Sequence, residues 1–352
     1  MTSIKIIKTR NETKKSEAFQ VDNDQLDRGM GNRMLGIFKA REAGLVAIIL
    51  IICIAMSFAS PYFLTWQNFR AMLLSFSIEG IVVVGMTILL IVGGIDLSVG
   101  SVVCLAMVIG GKLFLMGLDP WSASLIAILV CGFIGFLMGQ CVTRIGLHFF
   151  IVSLAFMVVA RGLSLLITKG TPQSLFSLPP SFKFVGQGDI GGMPFVIILF
   201  FAIVVFFDFL LRHSTLFRKV YYTGSNEKAA LFSGIKTNRI KIICATLCGL
   251  LSGVAGVVYM ARFGAATPQF GVGMELSVIA AAVIGGASLN GGAGTILGAV
   301  LGAALLSLVT SSLILLDVPV YWQDIIRGLI LLVAVSADHL LNRRKRKSAA
   351  KS

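Results

Sequence analysis

The chain has 352 residues, of which 57% are hydrophobic and only 13% are charged. A soluble globular domain typically has about 25% charged residues, so this composition excludes such a domain and indicates a polytopic membrane protein. The formal net charge of +14 would suit nucleic acid, but the basic residues gather in a few segments that flank apolar runs. That distribution is typical of membrane topology signals and argues against a nucleic-acid partner.

The first element is a polar segment at residues 1–42, which holds nine Lys or Arg and six Asp or Glu. It lacks the apolar core and cleavage site of a signal peptide, so we predict a retained cytoplasmic tail. Residues 43–340 follow as a transmembrane domain, with halves of about 43–190 and 191–340. Residues 341–352 are predicted to form a second, basic cytoplasmic tail.

The transmembrane domain divides into apolar runs of helix-spanning length, since about 20 apolar residues cross the hydrocarbon of a bilayer. We therefore predict an all-α polytopic membrane protein with about ten transmembrane helices. The predicted spans lie roughly at 43–63, 71–92, 97–116, 121–143, 148–168, 191–211, 240–261, 275–293, 295–316 and 319–340. Only a turn at 290–294 separates the eighth span from the ninth.

Positive charge predicts the orientation of these spans. If the N-terminus is inside, the cytoplasmic segments include residues 212–241 with seven Lys or Arg and residues 343–351 with six. The predicted external turns hold only scattered basic residues. This excess predicts that both termini are cytoplasmic, in a bacterial-type inner membrane.

The stretch at 93–101, Gly-Gly-Ile-Asp-Leu-Ser-Val-Gly-Ser, places Asp96 and Ser98 between two apolar runs. A partial echo, Met-Glu-Leu-Ser-Val, opens the eighth predicted span and contains Glu275 and Ser277. Five crossings separate the motifs, so the second copy would run in the opposite direction. This predicts two inverted five-helix repeats around a central path, where the four polar side chains either cap helix ends or contact a solute.

Other ionisable residues also lie deep in apolar runs, where facing lipid would be costly. Asp324 and Arg327 are three positions apart and can neutralise each other on one helix. Glu79 and Arg161 have no partner visible in the sequence, so a structural pair and a role in the substrate pathway both stay open. A proton-coupling acid would also resemble Glu79.

The segment at 221–235 lies within the predicted cytoplasmic segment 212–241. Ser225 or Asn226 can cap a short helix there, and Gly234 can end it in the left-handed conformation. Phe232 would be exposed unless a partner covers it, which favours a docking helix over a helix resting on the membrane surface. The residues we expect at this docking site are Asn226, Glu227, Ala229, Ala230 and Gly234.

Two chemistries have little support in the sequence. The six cysteines fall inside apolar runs without a Cys-x-x-Cys pair, so we interpret them as packing residues and predict no metal or cofactor. The phosphate-binding pattern Gly-x-x-x-x-Gly-Lys-Ser/Thr does not occur. Any ATP would therefore be handled by another polypeptide.

From about residue 43 to 340, the chain resembles the ABC importer permeases of the ribose, xylose and galactose type. The residues that carry this resemblance are Val-Gly-Met-Thr at 84–87 with 93–101, Phe-Ile-Val at 150–152, Arg-Gly-Leu at 161–163, 224–235, Lys241, 248–253, Glu-Leu at 275–276, Ile-Ala-Ala at 279–281 and 285–292. Departures from the family pattern are His148, near which a proline is expected, Glu79 and the long N-terminal tail.

The resemblance implies a permease subunit, usually a dimer, that pairs with an ATPase and a periplasmic sugar-binding protein. The segment at 224–235 is similar to the coupling helix of such importers, which receives the motor's stroke. Two alternatives stay open: an ion-coupled secondary sugar transporter, which needs no motor, and a related ABC permease for branched-chain amino acids or nucleosides.

Overall fold

The computed structural model describes residues 42–349, and for Asp324 and residues 337–349 it describes the backbone alone. The polar tail predicted at 1–42 therefore lies outside the described residues except for Glu42. Contacts divide the chain at Ala47 into two units. The described part of the first unit is the start of one helix, and the second unit contains the remaining elements.

The described residues are mostly helical. The helices are α1 (Glu42–Ala59), α2 (Trp66–Ile91), α3 (Val99–Leu115), α4 (Pro120–Gln140) continued by a π-helical turn (Cys141–Ile145), α5 (Phe149–Thr168), α6 (Pro180–Gln187), α7 (Phe195–His213), α8 (Thr215–Ser225), α9 (Glu227–Phe232), α10 (Thr237–Phe263), α11 (Met274–Ile284), α12 (Ile296–Leu315) and α13 (Val320–Ala349). Four two-residue strands form antiparallel pairs: β1 (Gln173–Ser174) with β4 (Ala265–Ala266), and β2 (Asp189–Ile190) with β3 (Met193–Pro194).

The all-α polytopic fold predicted from the sequence is confirmed. Among the described residues, seven helices are long and apolar enough to cross a bilayer, and α3 and α11 are shorter apolar helices. Helix α11 has 11 residues, which span about 16 Å, half the thickness of the hydrocarbon. The predicted eighth span at 275–293 is thus a half-length helix, and turns occupy most of residues 285–295.

Helices α2 and α10 form the centre of the fold. They run antiparallel, because Arg70 near the start of α2 borders the same pocket as Arg262 near the end of α10, whereas Gly85 near the end of α2 lies against Cys248. Helix α2 packs on α11 and α12, and α10 packs on α3 and α4. Likewise, α3 packs on α4 and α5, and α11 packs on α12 and α13. If α2, α3, α4 and α5 are matched in order with α10, α11, α12 and α13, each of these contacts has a counterpart in the other half. Two inverted repeats require this correspondence.

Glycines allow the closest of these helix contacts. A Cβ added at Gly135 of α4 would collide with the Ala245 carbonyl group of α10, and one at Gly249 of α10 would collide with the Cys131 carbonyl group of α4. The sequence places these glycines in pairs four residues apart, the spacing that lets helix backbones approach in lipid. These glycines therefore let α4 and α10 pack backbone against backbone.

Candidate functional site

The first helix break joins α2 to α3 and contains Asp96 and Ser98. The Asp96 Oδ1 accepts hydrogen bonds from the Ser98 backbone N–H at 2.7 Å and the Ser98 hydroxyl at 2.6 Å. Asp96 is 1% exposed and Ser98 is fully buried, with the Cys248 thiol of α10 beside the carboxyl group. Asp96 therefore stabilises the turn that starts α3, and in this conformation neither side chain faces an open path.

This geometry predicts that the Asp96 oxygen matters more than its charge. Asp96→Ala removes both hydrogen bonds and should lower the free energy of unfolding by about 1–3 kcal/mol, because the buried donors of Ser98 lose their acceptor. Asp96→Asn keeps an acceptor oxygen and should retain the stability and solute uptake of the wild type. Thermal denaturation and uptake by reconstituted vesicles measure these effects, and a stable Asp96→Asn variant without uptake would contradict the prediction.

The second break joins α10 to α11 and contains the short strand β4. After β4, the chain continues through turns at 268–273 and follows α3 in the direction opposite to that helix. A Cβ at Gly111 would lie 2.9 Å from the Ala266 Cβ, and the Cys104 thiol lies 3.2 Å from the Pro268 carbonyl oxygen. Residues 265–273, which we name the α10–α11 connection, thus place their backbone against the apolar helix α3, where water is scarce.

Arg161 of α5 supplies donors to the α10–α11 connection. Its Nη1 donates to the carbonyl oxygens of Pro268 at 3.0 Å and Phe270 at 2.7 Å. The Phe270 ring also packs on Tyr259 of α10, with ring centroids 4.3 Å apart. Arg161 therefore has the structural partner that the sequence could not show, and it fixes the chain that leads into α11.

The α10–α11 connection brings the N-terminal ends of α3 and α11 together. A Cβ at Gly100 in α3 would collide with the Gly271 carbonyl oxygen and lie 2.8 Å from the Glu275 Oε2. Glu275 and Ser277 are half-buried, while Leu276 between them is exposed. Each helix N-terminus carries partial positive charge, so a carboxylate lies between two polar helix ends that can offer hydrogen bonds to an uncharged solute.

Glu79 lies near the middle of α2. It is half-buried on α2, 12 residues before Ile91, which corresponds to about 18 Å along the helix. The charged Arg327 side chain of α13 and the Tyr259 hydroxyl group lie within its electrostatic range. Arg327 thus interacts with a second helix, and the predicted pairing with Asp324 involves a side chain outside the described residues.

The short helix predicted at 221–235 is present as α9. The Asn226 Oδ1 accepts from the Ala229 N–H at 3.1 Å, and Gly234 follows the helix with φ of +79°. The Glu227 carboxylate forms an ion pair of 2.6 Å with Lys241 of α10. This pair ties the start of α9 to α10, so a displacement of one helix acts on the other.

The surface of α9 differs in one respect from the expectation. Ala230 is only 4% exposed and so cannot contact a docked subunit in this conformation, whereas Ala229 and Leu231 are exposed. Phe232 is 93% exposed. An aromatic side chain left so open on a capped helix is typical of a surface that a partner protein covers.

Comparison with known proteins gives consistent matches over most of the chain. A family described as "Branched-chain amino acid transport system / permease component" matches residues 68–335. The Ribose import permease protein RbsC of Bacillus subtilis is 36% identical over 297 residues, 84% of this chain and 91% of that protein. The L-arabinose ABC transporter permease protein AraH of Azospirillum brasilense is 35% identical over 305 residues, 87% and 89% of the two chains.

A third relative is the D-allose transport system permease protein AlsC of Escherichia coli, 33% identical over 299 residues, 84% of this chain and 90% of that protein. No solved structure gives a significant match. The fold and the two helix breaks define a membrane transport protein. The chain belongs to the family of ABC transporter permease components.

Proposed function

We propose that the chain is the permease subunit of an importer that moves a small sugar or polyol across the cytoplasmic membrane, driven by ATP hydrolysis in a separate subunit. The observation that carries this proposal is the similarity to three permeases named for ribose, L-arabinose and D-allose, which extends over at least 84% of the chain. All three substrates are small, neutral and rich in hydroxyl groups. The same chemistry suits the polar helix ends at Gly100 and Glu275.

In this proposal Glu275 and Ser277 contact the solute, because they keep partial exposure where the helix ends meet. Asp96, Ser98 and Arg161 hold the two breaks in place through their hydrogen bonds. A site with few polar groups suits transport, since a solute that bound tightly at mid-membrane would leave slowly. Alternating access then requires the two repeats to move against each other.

The partners follow from the proposed orientation. With both termini cytoplasmic, α8 and α9 face the cytoplasm, and the ATPase docks on Leu231 and Phe232 of α9. The binding protein delivers sugar at the opposite face, where α6 and the β2–β3 hairpin would lie. A second permease copy or a homologue completes the transporter.

Uptake by reconstituted vesicles tests this function. The chain is reconstituted with the ATPase and the sugar-binding protein of the proposed importer, and radiolabelled ribose, L-arabinose and D-allose are offered with ATP. We expect ATP-dependent uptake of at least one of these sugars, and none in response to a proton or sodium gradient alone. Uptake driven by an ion gradient without the ATPase would establish the secondary-transporter alternative instead.

Docking of the ATPase is tested on Phe232. Phe232→Asp puts a charge at the centre of the exposed apolar surface, so we expect at least a tenfold loss of co-purified ATPase, the factor for about 1.4 kcal/mol. Phe176→Asp is the matched control, because Phe176 is 87% exposed in the loop before α6, at the proposed external face. Equal ATPase recovery with both variants would refute docking on α9.

A further inference from the structure

Three backbone segments, one of them the end of α8, meet at a contact that we name the glycine junction. It comprises Ile91 at the end of α2, Gly224 near the end of α8, and residues 291–294 between α11 and α12. The Gly292 N–H donates to the Ile91 carbonyl oxygen at 2.8 Å. This bond satisfies one of the carbonyl groups that the end of α2 leaves without a helical partner, and it connects the two halves of the chain.

Gly224 lies between the other two segments. A Cβ at Gly224 would collide with the Ile91 carbonyl oxygen and lie 2.6 Å from the Gly292 nitrogen. A Cβ at Gly291 would lie 2.8 Å from the Gly224 carbonyl oxygen and 3.1 Å from the Gly93 Cα. The three segments touch through backbone atoms, so a displacement of one of them presses directly on the others.

Tyr221 provides a directional bond at the same place. Its hydroxyl group donates to the Gly294 carbonyl oxygen at 2.7 Å. Burial, together with the nearby Asp208 carboxylate, raises the pKa of the Tyr221 hydroxyl, so this group keeps its proton and remains a donor. Tyr222, the next residue, is 60% exposed and offers a matched comparison.

The position of the junction in the chain gives it a role. Ile91 directly precedes the break that contains Asp96, and residues 291–294 lie between α11, which carries Glu275, and α12. Gly224 lies two residues before Asn226, the N-cap of α9. Helix α9, which is proposed to receive the ATPase, therefore has its N-cap two residues after a backbone contact with the end of α2 and with the turns that follow α11.

We propose that Tyr221 and Gly224 are positioning residues that transmit displacement of α9 to α2 and to the turns after α11. Gly224 acts through backbone contact with Ile91 and Gly292, and Tyr221 pulls residues 291–294 along with α8. This inference rests on the proposed function, because α9 moves only if an ATPase docks on it. It adds the route by which that movement reaches the polar helix ends.

Tyr221→Phe tests the directional bond, and Tyr222→Phe is the control. In the reconstituted complex we expect Tyr221→Phe to retain co-purified ATPase. The amount of sugar transported per ATP hydrolysed, measured with whichever of ribose, L-arabinose and D-allose the wild type takes up, should fall roughly fivefold, the factor for loss of one neutral hydrogen bond. Hydrogen–deuterium exchange gives a second readout without sugar. In the wild type and in Tyr222→Phe, magnesium-ATP should change exchange in 219–234, 92–98 and 286–295; in Tyr221→Phe the change in 286–295 should be lost.

Gly224→Ala tests the backbone contact, with Gly162→Ala as control because a Cβ at Gly162 meets nothing within 4 Å. We expect Gly224→Ala to lose the exchange response in both 92–98 and 286–295 and to abolish ATP-driven uptake. Wild-type transport per ATP and wild-type exchange in both Tyr221→Phe and Gly224→Ala would overturn the inference.

The same measurements separate this inference from the proposed function. If no ATPase co-purifies with the wild-type chain, both the proposed function and this inference are wrong. If the ATPase co-purifies but the complex takes up none of the sugars, only the proposed substrate is wrong. Hydrogen–deuterium exchange then decides the role of the glycine junction.

Discussion

Arg161→Met is expected to lower the thermal stability of the purified protein sharply and to abolish transport. The substitution leaves the Pro268 and Phe270 carbonyl oxygens without their guanidinium donor, beside the apolar helix α3, where water cannot replace it. Each buried acceptor left unsatisfied costs about 1–3 kcal/mol. Because these carbonyls belong to the segment that leads into α11, the N-terminus of α11 should lose its position as well.

The control for this prediction is Arg144→Met, since Arg144 is exposed at the end of the π-helical turn. It removes the same group and should change the melting temperature little. Arg161→Lys should lie between the two, because Lys keeps the charge but its ammonium nitrogen ends one bond short of the Nη1 that donates to both carbonyl groups. A Met variant that melts and transports like the wild type would show that Arg161 does not stabilise the α10–α11 connection.

Gly100→Val is expected to abolish sugar uptake by separating α3 from α11. Its side chain would occupy the position of the Gly271 carbonyl oxygen and press on the Glu275 carboxylate. Both neighbours belong to the chain that enters α11, so the helix ends would have to move apart. Overpacking of this kind typically costs about 1–3 kcal/mol, and the proposed solute contacts would be displaced with it.

Gly162→Val on α5 is the matched control, since a Cβ there meets nothing within 4 Å. Val has a similar effect on helix propensity at both positions, so the difference between the variants reports the contact between α3 and α11. We expect Gly162→Val to keep uptake and a melting temperature near that of the wild type. Equal uptake by both variants would mean that the two helix ends do not need to touch.

Local chemistry allowed much of the fold to be predicted. Each of the ten spans predicted from the apolar runs overlaps a helix of the structure, because a bilayer favours apolar helices. Asn226 precedes the start of α9 and Gly234 follows its end, as expected, since capping depends on residues within one turn of the helix end. Asp96 did not cap the amides inside α3, but binds the Ser98 N–H just before it.

The sequence by itself determined the all-α class, the helix-packing glycines and the two breaks at Asp96 and Glu275, because each depends on the polarity, size or spacing of neighbouring residues. Only the tertiary structure decided where Arg161 donates, which residues surround Gly224, and that α11 stops at half length. Arg161 and Phe270 lie 109 positions apart. Contacts at such separations depend on how the helices pack, and no local pattern encodes the partner of a buried backbone carbonyl group.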